Sequence, residues 1–186
     1  MTATDGCAEH QGVGHVQGSL TVPGCDDDAD LDARCAASVD PLACTAFDLG
    51  VDFFTVEGLE PVAVIRMQRG GEPFAQTDGL LLEIRDARLL RGNLGAPVPV
   101  GPDENVRAAL GLFARCPDAT QNFELSGEVT FDAFGVGKGD AVRGTIDRLE
   151  VRDGRTESPG RVLGVLHGDF DFTLRKGPPY QRFAGR

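Results

Sequence analysis

No run of apolar residues in this chain approaches the roughly 20 needed for a membrane-crossing helix, so no segment reads as a helical span. Lysine is nearly missing: Lys138 and Lys176 are the only two, and the basic residues form no cluster. A net charge of -11 sets the chain against phosphate backbones and anionic headgroups, which excludes nucleic acid as an expected partner. The patterns of common catalytic and zinc sites are absent as well, with no GxSxG, no HExxH and no CxxC. Nor does Met1 open a basic segment followed by an apolar stretch; taken as the native start, it implies a cytoplasmic protein.

What is present points elsewhere. The chain has 186 residues, 41% of them apolar, enough for one globular domain. Its five cysteines are Cys7, Cys25, Cys35, Cys44 and Cys116, at gaps that fit disulfides better than a zinc site. With Cys7 set aside, the other four can pair in three ways. The preferred pairing is Cys25 with Cys35 and Cys44 with Cys116, the second closing a long loop worth about 4 kcal/mol in the chain-entropy model. The competing reading is five buried reduced thiols. Disulfides would place the protein in the cell envelope or outside the cell.

The segment TATDGCAEHQG sets Gly6 before Cys7 and follows it with small and polar residues. It resembles the region around the lipid-modified cysteine of bacterial cell-envelope lipoproteins. That resemblance implies an acyl anchor on Cys7 and a tether after it, although Thr4 and Asp5 stand where the family carries a leucine and a small residue.

In CDDDADLDARC, Asp26, Asp28, Asp30 and Asp32 occupy alternate positions between Cys25 and Cys35. A hard cation such as calcium collects several carboxylate oxygens, so these four are candidate ligands and calcium the candidate cofactor. The EF-hand pattern does not fit: counted from Asp26, positions six and twelve hold Leu31 and Ala37 instead of Gly and Glu. The plainer reading is an acidic helix start running through Leu31 to Cys35.

Hydrophobic periodicity predicts a mainly β domain, an antiparallel β-sandwich or open barrel of about 7–8 strands. Residues 1–14 read as a flexible leader, 15–180 as a single β domain and 181–186 as a tail. Early strands are expected at HVQGSLTV, FDLGVDFFTVEG, PVAVIRMQ and GLLLEIRDARLL. One helix is expected over about 102–115, because Val106, Ala109, Leu110 and Phe113 recur at helical spacing behind Asp103 and Glu104. The clearest signal follows: Phe123, Leu125, Val129 and Phe131 alternate with polar residues, as do Val142 to Ile146 and then Val162 to Leu174. Leu149 and Val151 change parity relative to Ile146, which predicts a bulge near Asp147 and Arg148. Together these segments form an antiparallel meander.

HGDFD puts His167, Asp169 and Asp171 on one strand face, the weak candidates for a hydrolase site with His167 as base. Register counting instead sets Arg143 beside Asp169 or Asp171 on one side and near Thr130 and Glu128 on the other, the pairing of a solvated face. GVGKG, residues 135 to 139, lacks the Ser or Thr of a phosphate loop and leads into a strand, so it reads as a hairpin turn. Cys7, His10 and His15 share a loosely spaced metal-ligand pattern. The function expected from these features is a non-catalytic secreted or envelope-anchored β domain that binds a protein or glycan ligand or gives structural support. The alternatives are a calcium-dependent recognition or adhesion module at Asp26–Asp32 and a hydrolase around His167.

Overall fold

The structure is a computed structural model and describes residues 12–22, 46–58, 60–69, 77–114, 122–152, 162–174 and 180–184, the last as backbone. Among the described residues, eleven strands form one sheet: β1 (Gly12–Leu20), β2 (Ala46–Asp48), β3 (Phe53–Glu57), β4 (Ala63–Gln68), β5 (Asp78–Ile84), β6 (Pro97–Val100), β7 (Val106–Leu112), β8 (Asn122–Phe134), β9 (Ala141–Arg152), β10 (Val162–Thr173) and β11 (Tyr180–Ala184). Among the described residues, one short helix, α1 (Ala87–Arg91), follows β5. The protein is thus mainly β, as its alternation predicts.

The spatial order is β11-β3-β4-β5-β7-β6-β8-β9-β10-β1-β2, antiparallel throughout except for a single parallel pair, Val100 with Val106. The end strand β2 and the second strand from the other end, β3, belong to one piece of chain, separated only by Leu49–Asp52. The Leu49 N–H donates to the Val16 carbonyl at 2.9 Å, and the Asp52 N–H donates to the Gln68 carbonyl at 3.1 Å. The sheet therefore rolls into an open barrel whose two sides are tied covalently through β2 and β3, without a continuous ladder. Rolling is what lets one sheet bury its apolar face: inward residues from β1 to β10 form one cluster, and the Phe54 ring of β3 lies 5.5 Å from Phe172 of β10.

A row across the last strands shows how that interior is filled. Phe131 on β8 pairs with Gly144 on β9, Gly144 with Phe170 on β10, and Phe170 with Gly14 on β1. A Cβ on Gly144 would sit 2.7 Å from the Phe170 ring, so the glycine makes the space that the aromatic occupies. Phe131 and Phe170 then meet edge to face at 5.6 Å.

The meander β8-β9-β10 and its bulge are present as expected. Glu128 pairs with Arg148 while Val129 pairs with Ile146, leaving Asp147 as the extra residue. Opposite β10 the same extra residue appears, with three positions from Ile146 to Leu149 set against two from Leu166 to Gly168.

The expectation for 102–115 is overturned. Residues 106–112 are strand β7, with Val106, Ala108, Leu110 and Leu112 facing inward. Their spacing fits a period of 2 as well as 3.6, and the open edges of β5 and β8 decide the matter by offering a ladder on each side. The helix lies instead within the stretch read as a strand through residue 90. Asp86 caps it, accepting the Arg88 N–H at 2.9 Å, and the Arg88 side chain together with that N–H holds the Asp86 carboxyl below its ordinary value. Asn105 anchors the corner, its Oδ1 accepting the Asp86 N–H at 2.9 Å and its Nδ2 donating to the Asp86 carbonyl at 3.1 Å.

Three further expectations shift. β1 begins at Gly12, inside the stretch read as leader, and β11 takes in residues 181–184 of the stretch read as tail because the edge of β3 accepts it. The count of strands exceeds 7–8 through β2, β6 and β11, which have 3, 4 and 5 residues and carry too few alternations to register. Arg143 pairs with Ala133 on β8 instead of lying near Thr130 and Glu128, because a second irregularity between Phe131 and Ala133 moves the register.

Candidate functional site

The outward faces of β2, β1, β10 and β9 form a continuous polar surface. Alternation dictates its members: with Val16, Leu166, Phe170 and Phe172 turned into the barrel, His15, Gln17, His167, Asp169 and Asp171 must face out. Register then sets Gln17 between Asp48 and His167, His15 beside Asp169, and Asp171 beside Arg143.

Each carboxylate has a defined partner. His15 Nδ1 lies 3.1 Å from Asp169 Oδ1. Arg143 Nε donates to Asp171 Oδ2 at 2.9 Å, the cross-strand pair anticipated from the alternation. Gln17 Nε2 donates to Asp48 Oδ2 at 3.3 Å, and Asp48 Oδ1 accepts the Gly50 N–H at 2.8 Å. These pairs are exposed, and exposed pairs of this kind orient side chains more than they stabilise the fold.

His167 shares its strand face with Asp169 and Asp171, but those carboxylates turn to His15 and Arg143. The imidazole lines a wide, open concavity of about 580 Å³ together with Gln17, Ser19, Ala46, Asp48 and Val165. Gly18 and Phe47 complete its lining. The chemistry on offer is an amide, a hydroxyl, a carboxylate and an imidazole around a small apolar floor, a set that donates and accepts hydrogen bonds. Gln17, Ser19, Asp48 and Val165 carry no motif and escape sequence reading; only the pairing of β1 with both β2 and β10 brings them together.

The other candidates divide between those the structure places and those it leaves outside. GVGKG forms the β8-β9 turn, with the Gly135 N–H donating to the Ala141 carbonyl at 2.9 Å. Asp140 Oδ2 accepts the N–H groups of Gly137 at 2.8 Å and Val136 at 3.0 Å, and these bonds hold its carboxyl below the ordinary value. Donors that a phosphate loop would present to a ligand are thus already used inside the turn. Asp26, Asp28, Asp30 and Asp32, the cysteines Cys7, Cys25, Cys35, Cys44 and Cys116, and His10 all lie outside the described residues. Among the described residues no three metal-ligating side chains gather, and no helix is long and apolar enough to cross a membrane.

No protein-family model matches the chain, and neither a curated protein nor a solved structure matches it.

Proposed function

We propose that this chain is a non-catalytic binding domain of the cell envelope or exterior, anchored through Cys7 or secreted, which takes a glycan or protein ligand on the outer face of β2, β1 and β10. The observation that carries the reading is the open concavity beside His167, rimmed by Gln17, Ser19 and Asp48. A hydrolase needs a base oriented by a third group within an enclosed site. Here the neighbouring carboxylates are engaged by His15 and Arg143, which supports display of hydrogen-bonding groups over proton transfer. Hydroxyl-rich ligands suit an amide, a carboxylate and an imidazole presented side by side.

The test is a glycan array probed with the full chain and with Gln17→Ala, Asp48→Ala and His167→Ala. Binding to a defined subset of glycans is expected, weakened about tenfold by the most central substitution. Binding that all three variants retain, or ester turnover that vanishes only in His167→Ala, overturns the proposal.

A further inference from the structure

The ladder between β1 and β2 covers only Gln17–Ser19. One step further the Leu49 N–H still reaches the Val16 carbonyl, and then Gly50, at a φ of 65°, turns the chain away toward β3. A second hollow, of about 320 Å³, opens where the ladder stops. Val13, His15, Asp48 and Val51 line it above Gly14 and Phe54. A Cβ on Gly14 would lie 2.7 Å from the Phe54 ring, so the ring sits directly beneath the glycine backbone.

This hollow and the concavity beside His167 adjoin. Asp48 lines both, and outward residues of β1 run along them in series, Val13 and His15 in the second hollow, Gln17 and Ser19 in the first. At about 3.3 Å per residue, Val13 to Ser19 spans roughly 20 Å, the reach of a chain of linked rings and more than a single ring fills. Asp48 acts as a fixed divider, its carboxylate already accepting Gln17 Nε2 and the Gly50 N–H. The groups offered to a ligand are others: Ser19 and His167 on one side of it, His15 on the other, bonded to Asp169 through Nδ1 with Nε2 left for a ligand.

Charge and edge pairing restrict the occupant. Among the described residues no arginine or lysine lines either hollow, and the nearby cations of β9 are engaged, Arg143 with Asp171 and Arg148 with Glu150. With Asp48 between the hollows and a net charge of -11, an anionic chain is disfavoured. A peptide adding as a strand needs a free edge, and over Gln17–Ser19 both edges of β1 are taken, by β10 and β2. The second hollow sets valine walls beside a polar rim within a small volume, which matches an acetamido group, a methyl next to an amide.

We infer that the two hollows form one elongate site for a linear, uncharged oligosaccharide bearing acetamido groups, with sugar rings over the concavity beside His167 and an acetamido methyl seated against Val13 and Val51. The inference rests on the glycan reading above and narrows it to a chain length and a substituent.

The experiment is calorimetric titration of the full chain with β-1,4-linked N-acetylglucosamine dimer and tetramer, the glucose tetramer and a galacturonate tetramer. The N-acetylglucosamine tetramer is expected to bind about tenfold tighter than its dimer and than the glucose tetramer, and the galacturonate tetramer not to bind. Val13→Ser should lower the N-acetylglucosamine tetramer to the level of the glucose tetramer, about tenfold for one lost apolar contact, and leave the glucose tetramer unchanged. His167→Ala should weaken both tetramers, and thermal melts confirm that the variants are folded. Equal affinities for dimer and tetramer, equal affinities for the two neutral tetramers, or no effect of folded Val13→Ser overturns the inference while His167-dependent binding leaves the glycan reading standing. Binding of none of these oligomers also overturns it, and a glycan array without hits then overturns the reading as well.

Discussion

Two stretches of the outer surface are built on the same alternation and end in opposite surroundings. Over β1, β9 and β10 the outward residues His15, Arg143 and Asp169 stand in solvent and form exposed pairs. Over β3 and β4 the outward residues Phe53, Thr55 and Gln68 are only 6%, 0% and 2% exposed. Phe53 belongs to neither the wet face nor the central cluster, which takes in Phe54 and Val56 from the same strand. Alternation thus states which residues share a face. Whether that face is wet depends on what else packs there, and a polar residue such as Thr55 is read as solvated when it is buried.

The comparison can be broken at three levels. Both outer faces rest on one core, so Phe170→Ala, which empties the space facing Gly144 and Gly14, should cost about 3–5 kcal/mol in urea unfolding; a loss below about 1 kcal/mol would mean the interior is not shared. On the dry face, Thr55 Oγ1 has no hydrogen-bond partner among the described residues. Replacing it with valine should raise stability by about 1 kcal/mol, since an unsatisfied buried hydroxyl is removed. Destabilisation by Thr55→Val would show that the hydroxyl is satisfied and the face wetter than its burial implies. On the wet face, a double-mutant cycle of Arg143→Ala and Asp171→Ala should give a coupling of about 0.5 kcal/mol or less. A coupling several times larger would mark that pair as shielded and erase the contrast between the faces.

Parts of this molecule were legible from residue order alone, and the reasons are local. The meander from β8 to β10 declares itself because its strands have 12 or 13 residues, long enough for a period of 2 to be unmistakable. The bulge at Asp147 shows as a change of parity between Ile146 and Leu149, and the Arg143–Asp171 pair follows from counting along that hairpin. By contrast, residues 106–112 carry Ala and Leu at spacings that suit either period, and pairing with β5 and β8 settles them as strand. Helix α1 had a signal that could have been found: Asp86 stands as an N-cap directly before Ala87, and Gly92 follows Arg91. β6 is written PVPV, and its two prolines argue against a strand until β8 supplies the edge for it.

The candidate sites divide in the same way. His167, Asp169 and Asp171 were legible as sharing a face because strand geometry requires it. That Asp169 turns to His15 from β1, 154 residues earlier in the chain, was not. The hollow over Gly14 and Phe54 joins β1 to the turn before β3 and was invisible for the same reason.

By itself the residue order determined that the chain is β, that its last third folds back and forth over one apolar side, and which side chains share each face. Those properties depend on neighbours two positions apart. The tertiary structure alone decided that the sheet rolls into an open barrel tied through Leu49–Asp52, that β7 is a strand, and that one outer face is wet and another dry. Each of these requires surfaces distant in sequence to meet, and their free energy comes from contacts that no local spacing records.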